Sequence, residues 1–238
     1  MSQSSFDRLC LLAGGLVLAA AFVAAAISHD AFSTFFGRED SPVENLTALV
    51  LFSAGAMLIV RTLAKRGEWA VHAVALGVLY GAVYIWAGGE EISWGQRLLG
   101  FETPKFFAEN NDQGEFTIHN LVVGGVKLDE SLFGPILSIV ILTYLVVLPL
   151  MWRRFAWVKR LASTLSVPVP GRHHALYALA VTLIIPLLGE SRRWEVYECI
   201  FALLSMGIFV NPANHLWYSP DAVGAKGEDT GQAVGALL

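Results

Sequence analysis

The chain has 238 residues, of which 55% are hydrophobic and only 15% charged, and its mean hydropathy is +0.57. A water-soluble domain carries about 25% charged residues, so a soluble globular fold is excluded and an integral membrane protein is expected. The formal net charge of −4 offers no basic surface to nucleic acid, which is excluded as a partner.

A helical span needs roughly 20 mostly apolar residues. Six segments qualify: Leu9–Ser28, Val43–Val60, Trp69–Gly88, Leu132–Trp152, His174–Leu188 and Glu195–Val210. No alternating segments of about ten residues suggest a barrel. The sequence therefore predicts an all-α polytopic bundle over residues 1–212, followed by a flexible cytoplasmic tail, 213–238, rich in Gly, Ala and Asp.

In chain order, the first span ends on Ala24-Ala25-Ala26, which resembles a signal-peptide cleavage site. The long apolar run, with Asp7 and Arg8 ahead of it, favours an uncleaved helix. The second span opens with "SPVENLTALV": Ser41 can cap, Pro42 suits the first helical position, and Glu44 completes a capping-box pattern. The third runs from the basic turn "RTLAKRGEW" into "GGEEISWGQR".

Residues 89–130 then form a connection of about forty residues, too long for a passive hairpin. Within it, "FETPKFFAEN" reads as an amphipathic or re-entrant helix begun at Thr103-Pro104, with Phe106 and Phe107 at the interface, and "NNDQGE" reads as a turn. The linker "SVPVPGRHH" precedes the short fifth span, which carries Pro186 near its end, and "ESRRWEVYE" opens the sixth.

With the N-terminus cytoplasmic, ten of the 16 Lys and Arg fall inside and six outside. That bias predicts N-in and C-in, with residues 89–130 periplasmic. Fifteen of the 20 Asp and Glu fall on the outer side, which attracts cations. Cys10 and Cys199 are expected at opposite ends of their spans, too far apart for a disulfide.

The outer acids are the candidate site. Glu44 opens span two, Glu90 and Glu91 close span three, and Glu195 and Glu198 open span six, all at one depth, with His119 in the outer segment able to fold onto them. Carboxylates near hydrocarbon are costly and mark sites. Glu195 and Glu198, three apart, share a helix face. Glu90 and Glu91 diverge by about 100° on a regular helix, so one can face the centre while the other pairs with Arg97, Arg192 or Arg193.

Ordinary roles stand beside these. Glu44 is a helix cap, Glu195 and Glu198 suit a first-turn dipole, and a lone His119 is a common loop hydrogen-bonder. Glu90 and Glu91 sit at a helix C-terminus, where negative charge is disfavoured, and so have the weakest structural excuse.

"GEEISWGQR", followed by "GFETP", "NDQGE" and "HN" and preceded by "PVENLTAL", resembles a group of uncharacterised small bacterial multi-pass membrane proteins. The resemblance implies a bacterial inner-membrane location and no activity.

Three functions fit. In the first, a divalent metal ion held by Glu44, Glu90, Glu91, His119, Glu195 and Glu198 acts on a lipid-linked substrate, with Glu91 and His119 as ligand or base and Arg97 as anion clamp. In the second, the acids relay protons or cations, with His72 the main residue to continue a path. In the third, the outer segment docks another membrane protein. A serine route through Ser93 lacks a Gly-x-Ser-x-Gly elbow.

The orientation is checked by single cysteines. One near Asn111 should react with a membrane-impermeant thiol reagent from the periplasm, and ones near Lys65 or Arg160 should not; labelling of Lys65 in sealed cells would reverse the assignment.

Overall fold

The computed structural model describes residues 2–214; most of the expected tail, 215–238, lies outside the described residues. The chain is mostly helical, with four helices long and apolar enough to cross a membrane. Six long helical segments build the bundle: α1 (Gln3–Ile27), α2 (Pro42–Ala64), α3 (Val71–Glu91), α4 (Asp129–Arg154), α5 (Arg172–Leu188) and α6 (Arg193–Val210). Of these, α5 is shorter than the four, and α6 carries Arg193, Glu195 and Glu198 in its first turns.

The helix at the centre is α6, which packs against α1, α2 and α5. Twelve of its 18 residues are buried, as expected of a helix that is apolar on nearly every side beyond Glu198. Ile200, Leu204 and Ile208 meet Ala21, Leu145 and Val181 in one continuous apolar core.

Glycines set the closest approach. A Cβ on Gly55 of α2 would stand 2.6 Å from the carbonyl oxygen of Gly81 on α3, and one on Gly81 would stand 2.7 Å from that of Gly55. Small residues at such a crossing let two backbones touch, the usual device where lipid supplies no hydrophobic drive between helices.

In contrast, α4 is irregular. It is π-helical over Asp129–Ile136 and again over Thr143–Val147, with Pro135 inside the first stretch. No residue from Asp129 to Leu142 is buried, and this half of α4 makes at most marginal backbone contact with α3.

Helix ends meet in two groups. The starts of α2, α4 and α6 and the end of α3 surround one cavity. The starts of α1 and α5 and the end of α6 meet at Asp7, His173, His174 and Asn211.

The segment after α3 is ordered by hydrogen bonds within it and to the end of α3. Ser93, Trp94 and Gly95 follow α3 with φ of 47°, 55° and 73°, a left-handed run that turns the chain back over the bundle. The expected helix is present as Lys105–Asn110, with Phe106 exposed and Phe107 edge-on to Phe116 at 4.8 Å. A short antiparallel hairpin, β1 (Val122–Val123) and β2 (Val126–Lys127), turns at Gly124-Gly125, both at positive φ. Asn111 is buried and donates to the Thr117 carbonyl and hydroxyl oxygens, each at 2.9 Å. The exposed Glu109 is therefore the better labelling position.

The α2–α3 contact gives a direct check. Gly55→Val should destabilise the protein by about 1–3 kcal/mol through overpacking, read as a lower Tm in detergent. Gly67→Ala, where a Cβ meets nothing within 4 Å, should leave Tm unchanged. Equal Tm for both variants would contradict the contact.

Candidate functional site

The cavity among the helix ends holds about 250 Å³. Eight of its lining side chains are carboxylates, against one guanidinium, Arg192, and one imidazole, His119. Each acid meets a different environment, and the differences separate structural acids from available ones.

Glu90 is committed to the fold. Its Oε1 accepts from Trp94 Nε1 at 2.9 Å, and its Oε2 accepts from the backbone N–H groups of Ile118 at 2.6 Å and His119 at 3.0 Å, with His119 Nδ1 at 3.2 Å. It fixes the outer segment onto the end of α3. The partner is thus backbone and indole, not an arginine. His119, held by this bond, lines the cavity.

Glu44 caps. Ser41 Oγ accepts from the Glu44 N–H at 3.2 Å, and the Glu44 carboxylate reaches back to the Asp40 N–H. It also lines the cavity.

Glu195 pairs with Arg192, Oε1 to Nη2, at 3.0 Å, and Arg192 is shared with Glu39 at 2.8 Å. Burial works against the charge on Arg192, but the carboxylates of Glu195 and Glu39 outweigh it and hold its pKa above the ordinary value.

Glu91 and Glu198 are different. Neither has a hydrogen-bond or ion-pair partner among the described residues. Glu198 is accessible although its neighbours Val196, Tyr197, Cys199 and Ile200 are buried, because the surface it shows faces the cavity. Oxygens of Glu91, Glu195 and Glu198 lie within 4.8 Å of one another. Two oxygens on opposite sides of a calcium-sized ion, each at about 2.4 Å, are separated by about that distance. An all-oxygen set of this size suits a hard divalent cation.

Arg97 stands apart from the cavity lining. It joins Asp40 Oδ2 at 2.5 Å, Glu115, and Glu39 at 3.9 Å. Burial opposes its charge, yet the hydrogen bond to Asp40 and the nearby carboxylates raise its pKa. With its guanidinium occupied by carboxylates it ties the outer segment to the start of α2, and Arg192 is the guanidinium that reaches the cavity. Ser93 is buried and donates to Glu115 Oε2 at 2.6 Å.

A second polar cluster, at the other end, escaped the sequence reading. Asp7 Oδ1 accepts from His174 Nε2 at 2.7 Å; Oδ2 meets His173 Nε2 at 2.8 Å and accepts from Asn211 Nδ2 at 3.0 Å. His174 Nδ1 accepts the Gly171 N–H at 2.9 Å, so its proton sits on Nε2 and points at Asp7. The His174 lone pair is therefore turned away from Asp7, and the hydrogen bonds of Asp7 lock α1 to α5 and α6. A buried acid in an apolar helix was the signal that could have found it.

No family model matches this chain, no curated protein is similar to it in sequence, and no solved structure matches its fold.

Adjacent acids should respond oppositely. Glu90→Gln places an amide against backbone donors and should cost about 1–3 kcal/mol, whereas Glu91→Gln breaks no bond and should leave Tm unchanged or higher. Thermal unfolding of both variants checks this, and a destabilised Glu91→Gln would assign Glu91 a structural role.

Proposed function

We propose that this is a six-span protein of the bacterial inner membrane, N-in and C-in, whose periplasmic-leaflet cavity binds a divalent cation for metal-assisted chemistry on a lipid-linked substrate. One observation carries the reading: Glu91, Glu195 and Glu198 converge within 4.8 Å on a cavity, and Glu91 and Glu198 make no hydrogen bond or ion pair among the described residues. Like charges so placed in a low dielectric repel strongly. A divalent ion removes that repulsion and supplies a Lewis acid.

Three carboxylates leave positions open on an ion that takes six or more oxygens. Water and a substrate oxygen fill them, and His119, on the same cavity wall, is the candidate base. Glu44 and Glu90 hold the walls.

A transport reading has less support. The acidic cavity and a second cavity of about 370 Å³ near Arg61 and Phe209 share no lining residue, and the apolar core of Ile200, Leu204 and Leu145 is packed in the bundle. His72 is exposed at the start of α3 and lines neither cavity.

Metal analysis of protein purified without chelator should find one divalent ion per chain, lost in Glu91→Gln and Glu198→Gln and kept in Glu115→Gln. Absence of metal from the wild type even after dialysis against Mn²⁺, Mg²⁺ or Ca²⁺ would sink the proposal.

A further inference from the structure

The wall of the acidic cavity between α3 and α4 is made of side chains, not of packed backbones. On α4 the lining residues are Asp129, Phe133 and Leu137, four apart on one face; on α3 they are Trp86, Ala87, Glu90 and Glu91. The two helices make at most marginal backbone contact, and the Trp86 and Phe133 rings, 6.1 Å between centroids, bridge the gap.

Leu137 lines the cavity and is also 41% exposed, and Ile136, Ile139 and Val140 beside it are exposed apolar residues. On a helix apolar enough to cross a membrane, such residues face lipid. The cleft therefore has hydrocarbon on one side and carboxylates on the other, a polarity gradient that suits an amphiphile and no fully water-soluble ligand.

We infer that the cleft between α3 and α4 is a lateral doorway that seats a diacyl glycerophospholipid, with an acyl chain across Trp86, Phe133 and Leu137 and the head group inside the acidic cavity. Seating of the chain rests on the cleft alone. The placement of the head rests on the cation site proposed above: eight carboxylates would repel a bare phosphate, and a divalent ion on Glu91, Glu195 and Glu198 supplies the charge complement and the open oxygen positions.

The half of α4 that forms the doorway is also the part least held by the bundle. It has no buried residue from Asp129 to Leu142, and its first eight residues are π-helical, a geometry associated with functional positions. Asp129 Oδ1, in the cavity lining, is buried without a hydrogen-bond partner among the described residues.

The test uses the whole protein extracted in mild detergent and examined by native mass spectrometry. Wild type should retain one phospholipid. Leu137→Trp fills the cleft and should lose it, while Leu150→Trp, an exposed residue near the far end of α4 and outside the lining, should keep it. In parallel, protein in vesicles of phosphatidylethanolamine and phosphatidylglycerol is photolysed with a phosphatidylethanolamine carrying a mid-chain diazirine. Adducts should map to the peptides of Trp86 and Phe133, and Leu137→Trp should remove them.

No retained lipid in the wild type together with no adducts at Trp86 or Phe133, or equal retention and labelling in the two tryptophan variants, would overturn the doorway. Repeating both measurements in Glu198→Gln separates the two readings. Lipid kept in a Glu198→Gln protein that has lost its metal leaves the doorway and overturns the seating of the head group on the ion; metal kept by a wild type that seats no lipid removes the doorway alone.

Discussion

Carboxylates gathered at the end of an apolar bundle need hydrogen-bond donors or opposite charges, and this requirement organises the structure. Glu90 accepts hydrogen bonds from Trp94, from the Ile118 and His119 backbone N–H groups and from the His119 ring, and the segment after α3 is held down as a result. Glu44 is satisfied by the cap of its own helix, and Glu195 by Arg192. Glu91 and Glu198 are left over, pointed at the cavity beside Glu195. Glu90, Glu44 and Glu195 each find a partner in the fold, whereas Glu91 and Glu198 make no hydrogen bond or ion pair among the described residues, and carboxylates so placed near hydrocarbon mark sites.

The two ends of the bundle use opposite solutions. At one, Asp7 is saturated by His173, His174 and Asn211, and Gly207 makes room for it, since a Cβ there would stand 2.8 Å from Asp7 Oδ1. That end is closed chemistry. At the other, the rigid pair α2 and α3, locked through Gly55 and Gly81, stands opposite the loosely held first half of α4. One firm wall and one loose wall are what a cavity that admits a ligand requires.

Much of this was legible in the sequence where the signal is local. The Ser41-Pro42-Glu44 pattern fixes the start of α2, and the three-residue spacing of Glu195 and Glu198 puts both on one face. The convergence of helix ends on Glu44, Glu91 and Glu198 follows from counting spans. The division of labour between Glu90 and Glu91 was not legible, because it depends on the left-handed run at Ser93 to Gly95 that brings Ile118 and His119 back over α3. Arg97 and Arg192 are alike in sequence; only the partners Asp40 and Glu115 on one side, and Glu195 on the other, separate them. The Asp7 cluster joins residues 166 apart, and no local pattern announces it. The looseness of α4 lies in what it fails to touch, which composition does not encode.

Anomalous scattering from Mn²⁺-soaked crystals of the full-length protein tests the central claim most directly. The account predicts a single strong peak bounded by oxygens of Glu91, Glu195 and Glu198, with Glu90 still on the backbone of Ile118 and His119. A map with no peak in the acidic cavity, or with manganese seated instead on Asp7, His173 and His174, would contradict it.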